Sequence, residues 1–203
     1  DLLNAAKTLL EDCYLNVHYR SEHPALIDFS NYAFYSARLE VPQIGLQNSY
    51  LEEPPVVYFN VKGIYDDENQ RNPDEAEMVL KLMRKIWQEK HRHSLGIVTF
   101  NSKQRDLLIE SIGRECEDPE FEAVYSQERD RKDGNQDIGF FVKNLESVQG
   151  DERDIMIFSS TFGRMKSGKF YRNFGPISKE GGERRLNVAI TRAKKRMYIV
   201  TSM

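Results

Sequence analysis

The sequence predicts an α/β protein: an open, mostly parallel sheet in three layers, with helices on both faces. Three observations predict it. Short apolar runs alternate with amphipathic segments in the order β-α-β-α-β-β-α-β, which suits parallel strands joined by crossovers. The apolar runs are β-branched and aromatic with little polar alternation, as when a sheet is covered on both faces. The 203 residues are 39% hydrophobic and 30% charged, a balance that supports one substantial core.

The strands expected are VVYFNV (residues 56–61), LGIVTF (95–100), IGFFVK (138–143), DIMIFSS (154–160) and MYIVTS (197–202). HPALIDFSNYAFYSARL (23–39) reads as helical over its first half. NPDEAEMVLKLMRKIWQEKH (72–91) is a strong helix: Asn72 suits the N-cap, Pro73 the first position, and Asp74 and Glu75 the positive helix end. SKQRDLLIESIGREC (102–116) is a second helix, with Ser102 as its expected cap. Residues 113–136 are polar and weakly patterned, so they read as an excursion. Residues 162–182 carry five glycines and a proline, and a loop of that length is usually functional.

The formal net charge of −3 argues against a surface that coats nucleic acid throughout, while leaving room for a local basic face. DDENQRNPDEAE is acidic, whereas residues 164–169 and 184–196 are rich in Arg and Lys. No apolar run approaches membrane-spanning length, so no membrane partner is expected. Cys13 and Cys116 are isolated, without metal-binding or disulfide spacing, which fits a reducing cytoplasm. His18, His23, His91 and His93 form no metal set. Trp87 and the aromatics of NYAFY read as core rather than as platforms for stacked bases.

In RRLNVAITRAKK (184–195), helical spacing puts Arg185 and Arg192 seven residues apart on one stripe, beside a buried face of Leu186, Ala189, Ile190 and Ala193. Two permanently charged planar forks suit a polyanion better than a single carboxylate. A phosphate loop to accompany them is missing: SGKF (167–170) has no glycine at the required offset and no Ser or Thr after the lysine. No strand ending in paired carboxylates suggests a Mg²⁺ site either.

Four segments in order, YLNVHYRSEHPALIDFSNYAFY, GIVTFNSKQRDLL, VKNLESVQGDERDIMIFSS and GGERRLNVAITRAKKRMYIV, resemble the second RecA-like domain of superfamily 1 helicases. The closest branch is that of the up-frameshift RNA helicase and of large bacterial helicase-like proteins. YRSEHP holds one residue more than the YRMHP of the up-frameshift branch, a longer form that the bacterial proteins share. The resemblance implies one RecA-like domain over residues 1–203, with residues 1–12 leading in from a preceding domain. It implies ATP bound between two such domains, the absent N-terminal one supplying phosphate loop and Mg²⁺ ligands. This chain would supply arginine fingers, Arg192 from TRA and Arg20 from HYR.

By the same resemblance Glu152, in the QGDERD turn with Gln149 and Gly150, binds the ribose, while Asp154 reads as structural. Arg185 either supports the phosphate site or holds Glu152. Thr99, Asn101, Asn144 and Ser147 are the expected contacts to single-stranded DNA or RNA, through sugar and phosphate rather than base edges. Branch membership implies 5′-to-3′ movement. The rival expectation is a binding module derived from a helicase that no longer hydrolyses ATP; a nuclease would need an Asp…Glu-x-Lys arrangement that the strands lack.

Overall fold

The structure, a computed structural model, describes residues 13, 15–42, 54–89, 92–170 and 173–203. His91 and the lead-in at 1–12 lie outside the described residues. A 3-10 turn, Pro24–Leu26, precedes α1 (Asp28–Phe34). Then come β1 (Val56–Asn60), β2 (Ile64–Tyr65), α2 (Pro73–Gln88), β3 (Leu95–Thr99), α3 (Ser102–Glu115) and α4 (Pro119–Arg129). A two-residue-a-side hairpin, β4 (Lys132–Asp133) and β5 (Gln136–Asp137), leads to β6 (Phe141–Asn144) and β7 (Arg153–Met165). A second 3-10 turn, Gly175–Ser178, then α5 (Gly182–Ile190) and β8 (Ala193–Ser202) complete the chain.

The main sheet has the order β1-β8-β7-β3-β6, and every pairing in it is parallel. β2 extends it by pairing, also parallel, with the far end of β7. Period-2 alternation divides the core between the two faces. Leu95, Ile97, Ile155, Ile157, Tyr198 and Val200 point to the α2–α3 side, against Val79, Met83, Ile86 and Leu108. Val98, Met156, Phe158 and Met197 point to the opposite side, against Leu26, Ala189 and Ala193. This is the three-layer arrangement expected from the unalternating apolar runs.

Asn72 caps α2 as expected, its side chain accepting the Glu75 N–H, with Pro73 at the first position. The cap of α3 differs from expectation: Asn101, not Ser102, accepts the Gln104 N–H at 2.7 Å, and Ser102 is the first helical residue. The weakly patterned region after residue 113 contains the end of α3, all of α4 and the hairpin, and it packs Phe121 and Tyr125 against Trp87. Trp87 is core, as expected. NYAFY is not: Tyr32 is 85% exposed and Tyr35 is 41% exposed, because the short α1 turns them outward.

α5 ends sooner than its sequence suggests. Thr191 is its C-cap and Ala193 already begins β8, so Arg192 sits in the turn between them. The shared helical stripe of Arg185 and Arg192 therefore does not form. Strand pairing wins at this point, since the Arg153 N–H donates to the Arg192 carbonyl at 3.2 Å. α5 itself lies directly on the preceding turn, where a Cβ on Gly182 would come within 2.1 Å of the Ile177 carbonyl oxygen.

Candidate functional site

The starts of β7 and β8 are neighbours, with Arg153 level with Ala193. That register brings Glu152, one residue before β7, beside Arg192 and Lys194. A third segment closes on them: the Glu22 N–H donates to the Lys194 carbonyl at 2.8 Å, and the Ser21 hydroxyl to the Ala193 carbonyl at 3.1 Å. Ser21 is braced in turn by His18, whose Nε2 lies 2.9 Å from its hydroxyl. Backbone bonds thus carry Arg20 to a carboxylate 132 residues away in sequence.

The Arg20 Nε donates to Glu152 Oε2 at 2.6 Å, and the Lys194 Nζ lies 3.0 Å from Oε1. Glu152 is placed by its own backbone, since Arg153 donates Nη1 to the Glu152 carbonyl at 2.7 Å and Nε to the Gly139 carbonyl at 2.8 Å. The turn before it passes through Gly150 at φ +92°, where a Cβ would meet nothing within 4 Å. Glycine is required there by the torsion, not by crowding. Gln149, beside it, is exposed.

Arg192 donates its Nε to the Val188 carbonyl at 2.7 Å, close to the carboxyl end of α5. Among the described residues it has no carboxylate partner at ion-pair distance. Two cations, Arg20 and Lys194, therefore hold Glu152, with Arg192 nearby and Asp151, the next carboxylate, taken by Lys143. The field shows in the titrating groups. Burial, reinforced by Arg20 and Arg192, lowers His18 below its ordinary value. Burial also lowers Arg192, with Arg20 as the next cause. Burial opposes ionisation of Glu152, yet the hydrogen bonds from Arg20 and Lys194 outweigh it, and its carboxyl titrates below the usual glutamate value. A cationic excess of this kind attracts a polyanion.

Asp154 is structural, as expected: its Oδ2 accepts from both the N–H and the hydroxyl of Ser94 at 3.0 Å, clipping β7 to the start of β3. Of the two roles expected of Arg185, it does not hold Glu152, whose two oxygens are taken by Arg20 and Lys194. It donates Nη1 to the Glu180 carbonyl at 3.2 Å and the Pro176 carbonyl at 3.4 Å, tying α5 to the loop before it.

The four residues expected on nucleic acid lie elsewhere. Thr99, Asn101 and Asn144 are at or just beyond the carboxyl ends of β3 and β6, with Ser147 in the turn after them. The parallel sheet puts that edge opposite the one holding Glu152 and Arg192. The Thr99 side chain is fully buried and donates to the Asn101 carbonyl at 2.7 Å. Asn101 caps α3 and donates Nδ2 to the Gln70 carbonyl at 2.8 Å, while the Ser147 hydroxyl donates to Asn144 Oδ1 at 2.7 Å. Each thus has a local role in its turn. Lys194 is the site residue that sequence reasoning missed; its signal was the period-2 step from Arg192 onto the same strand start.

Among the described residues no cluster of three or more His, Cys, Asp or Glu is arranged to hold a metal, and no helix is long and apolar enough to cross a membrane. A family model described as an AAA domain matches residues 3–203. An uncharacterized ATP-dependent helicase of Mycoplasma pneumoniae is 38% identical over 188 residues, covering 91% of this chain and 16% of that protein. Its namesake in Mycoplasma genitalium is 39% identical over 188 residues, again with 91% and 16% covered. An uncharacterized ATP-dependent helicase of Methanocaldococcus jannaschii is 25% identical over 206 residues, covering 92% of this chain and 26% of that protein. The chain thus spans about a sixth to a quarter of the length of these relatives. The solved C-terminal domain of a possible DNA helicase from Lactobacillus plantarum superposes with a TM-score of 0.48 at 14% identity, covering 90% of this chain and 86% of that one. With the match running over residues 3–203, the chain belongs to the AAA-domain family.

Proposed function

We propose that this chain is the second motor half of a cytoplasmic superfamily 1 helicase and completes an ATP site shared with a preceding RecA-like domain. The observation that carries the reading is the cluster at the start of β7 and β8, where Arg20 and Lys194 hold Glu152 and Arg192 stands beside them without a carboxylate at ion-pair distance among the described residues. That donor set fits a polyphosphate with a ribose attached: cations for the phosphates, a carboxylate for the sugar hydroxyls. It does not fit Mg²⁺, whose ligands would come from the other half. ATP, when bound, supplies the transferable phosphoryl group. Arg192 keeps its Nε on Val188 and has its two Nη groups for developing negative charge. Such a finger contributes roughly 10³–10⁵ in rate in related NTPases.

The carboxyl edge is the proposed single-strand track. Asn144 and Ser147 are partly or fully exposed there, while buried Thr99 supports Asn101 from below and cannot itself touch a strand in this conformation. Closing and reopening of the nucleotide cleft would shift the track relative to the other half. Phosphate release tests the reading: the full-length protein should hydrolyse ATP and be stimulated by single strands, and the isolated 203-residue chain should not hydrolyse it. Turnover by the isolated chain that survives repurification would overturn the shared site. Inactivity of the full-length protein would favour a binding module.

A further inference from the structure

The proposed function requires Arg20 to reach a phosphate and Glu152 to reach a ribose, yet here the two hold each other at 2.6 Å. Both side chains are about a quarter exposed, at 23% and 25%, so neither charge can be stranded cheaply. The structure contains the means of avoiding that. Lys194, 27% exposed, already holds the other oxygen of Glu152 at 3.0 Å. Its backbone carbonyl accepts the Glu22 N–H at 2.8 Å, so it is fixed to the segment that carries Arg20 as well as to β8.

We propose that Lys194 is a positioning residue of the nucleotide site: it stays on Glu152 when Arg20 leaves, and so sets how readily Arg20 is released. The inference rests on the proposed function. With two cations on one carboxylate, each is held less tightly than either would be alone. Without Lys194, Arg20 is the one cation left at ion-pair distance from Glu152 among the described residues, and pulling it away leaves a largely buried anion with only the more distant charge of Arg192 to compensate it. Lys194 also differs in kind from Arg192, whose Nε is tied to a carbonyl and not to Glu152.

The test uses the full-length protein and steady-state ATP hydrolysis with single strands present. Lys194→Met keeps the aliphatic stem and removes the charge. It should lower kcat by about five- to tenfold, the coupling expected of charges in direct contact, and Lys194→Arg should restore most of it. Glu152→Gln removes the anion that retains Arg20. Adding Lys194→Met to Glu152→Gln should then change kcat by less than about twofold. Thermal melts accompany each variant, and a purely structural Lys194 would give losses that Glu152→Gln does not suppress.

Arg20→Ala separates the two levels of inference. Normal kcat in Arg20→Ala would overturn the finger assignment, and the release mechanism with it. A large loss in Arg20→Ala together with wild-type kcat and KM in Lys194→Met would overturn the role of Lys194 alone. So would a Lys194→Met loss that persists unchanged in the Glu152→Gln background.

Discussion

Arg192 and Arg20 are both expected to act on the phosphates, but the structure starts them from different states, which predicts an order of effects. A finger that contributes 10³–10⁵ in rate lowers the barrier by about 4–7 kcal/mol, at about 1.36 kcal/mol per decade. Arg192 has no carboxylate to leave among the described residues, so Arg192→Ala should forfeit that full amount and reduce kcat at least about a thousandfold. Arg20 must first leave Glu152. That pair, largely buried but shared with Lys194, contributes about 1 kcal/mol net, so the net gain from Arg20 is smaller and Arg20→Ala should cost about fivefold less than Arg192→Ala. Arg192→Ala also removes a 2.7 Å bond to the Val188 carbonyl, a stability loss of about 1–2 kcal/mol. The assay is kcat and KM for phosphate release by the full-length protein, on variants shown by thermal melt to be folded. KM should move little, because the contact strengthens mainly in the transition state. If Arg192→Ala stays within about tenfold of wild type, the finger assignment fails. If Arg20→Ala is the more damaging by a clear margin, the account of Arg20 starting from an ion pair is wrong.

Two further predictions concern the buried polar cluster that joins α2 to the ends of β7 and β8. Asn72 accepts the Glu75 N–H and donates Nδ2 to the Thr161 carbonyl at 3.2 Å and the Ser202 hydroxyl at 2.9 Å. Asn72→Ala should destabilise by about 3 kcal/mol at about 1 kcal/mol for each bond lost, and a urea-denaturation change below about 1 kcal/mol would refute the role. Glu75 is fully buried and accepts from the Ser159 hydroxyl and the Thr161 N–H, both at 2.7 Å. Burial raises its carboxyl above the ordinary value of 4.5 despite those bonds. Its contribution to stability is therefore fully present below 4.5 and is lost as pH rises through the folded value. Glu75→Gln should gain stability relative to wild type from acid toward neutral pH, and parallel melting curves across that range would count against it.

Much of the fold could be read from short stretches, because the forces that specify it act locally. Asn72, Pro73 and the acidic first turn identify the start of α2 through bonds that close within three residues. The unalternating runs identify the strands, since a residue type that packs on both faces of a sheet shows in every position. Asp154, the second residue of β7, was legible as structural from its place at the strand start, although its partner Ser94 is 60 residues away. The motifs that carry the helicase resemblance are equally contiguous, and the family model matches across all four of them.

Where sequence and structure part, a distant partner decides. Asn101 and Ser102 are both good caps, and the choice follows from where the end of β3 leaves each side chain, with Asn101 also reaching the Gln70 carbonyl. The helical pattern through TRA is real, but α5 stops at Ile190 because Arg153 on β7 takes the Arg192 carbonyl into the sheet. Arg185 loses its place beside Arg192 as a result. The aromatics of NYAFY look like core from composition, and only the shortness of α1 and its orientation expose Tyr32. Sequence alone determined most of the main strands and helices and brought Arg20, Glu152 and Arg192 forward as candidates, while leaving out Lys194. Tertiary structure alone decided which charge faces which. An Arg or Lys pairs equally well with any carboxylate in reach, and reach here is set by the β7–β8 register and the docking of residues 21–22 on β8.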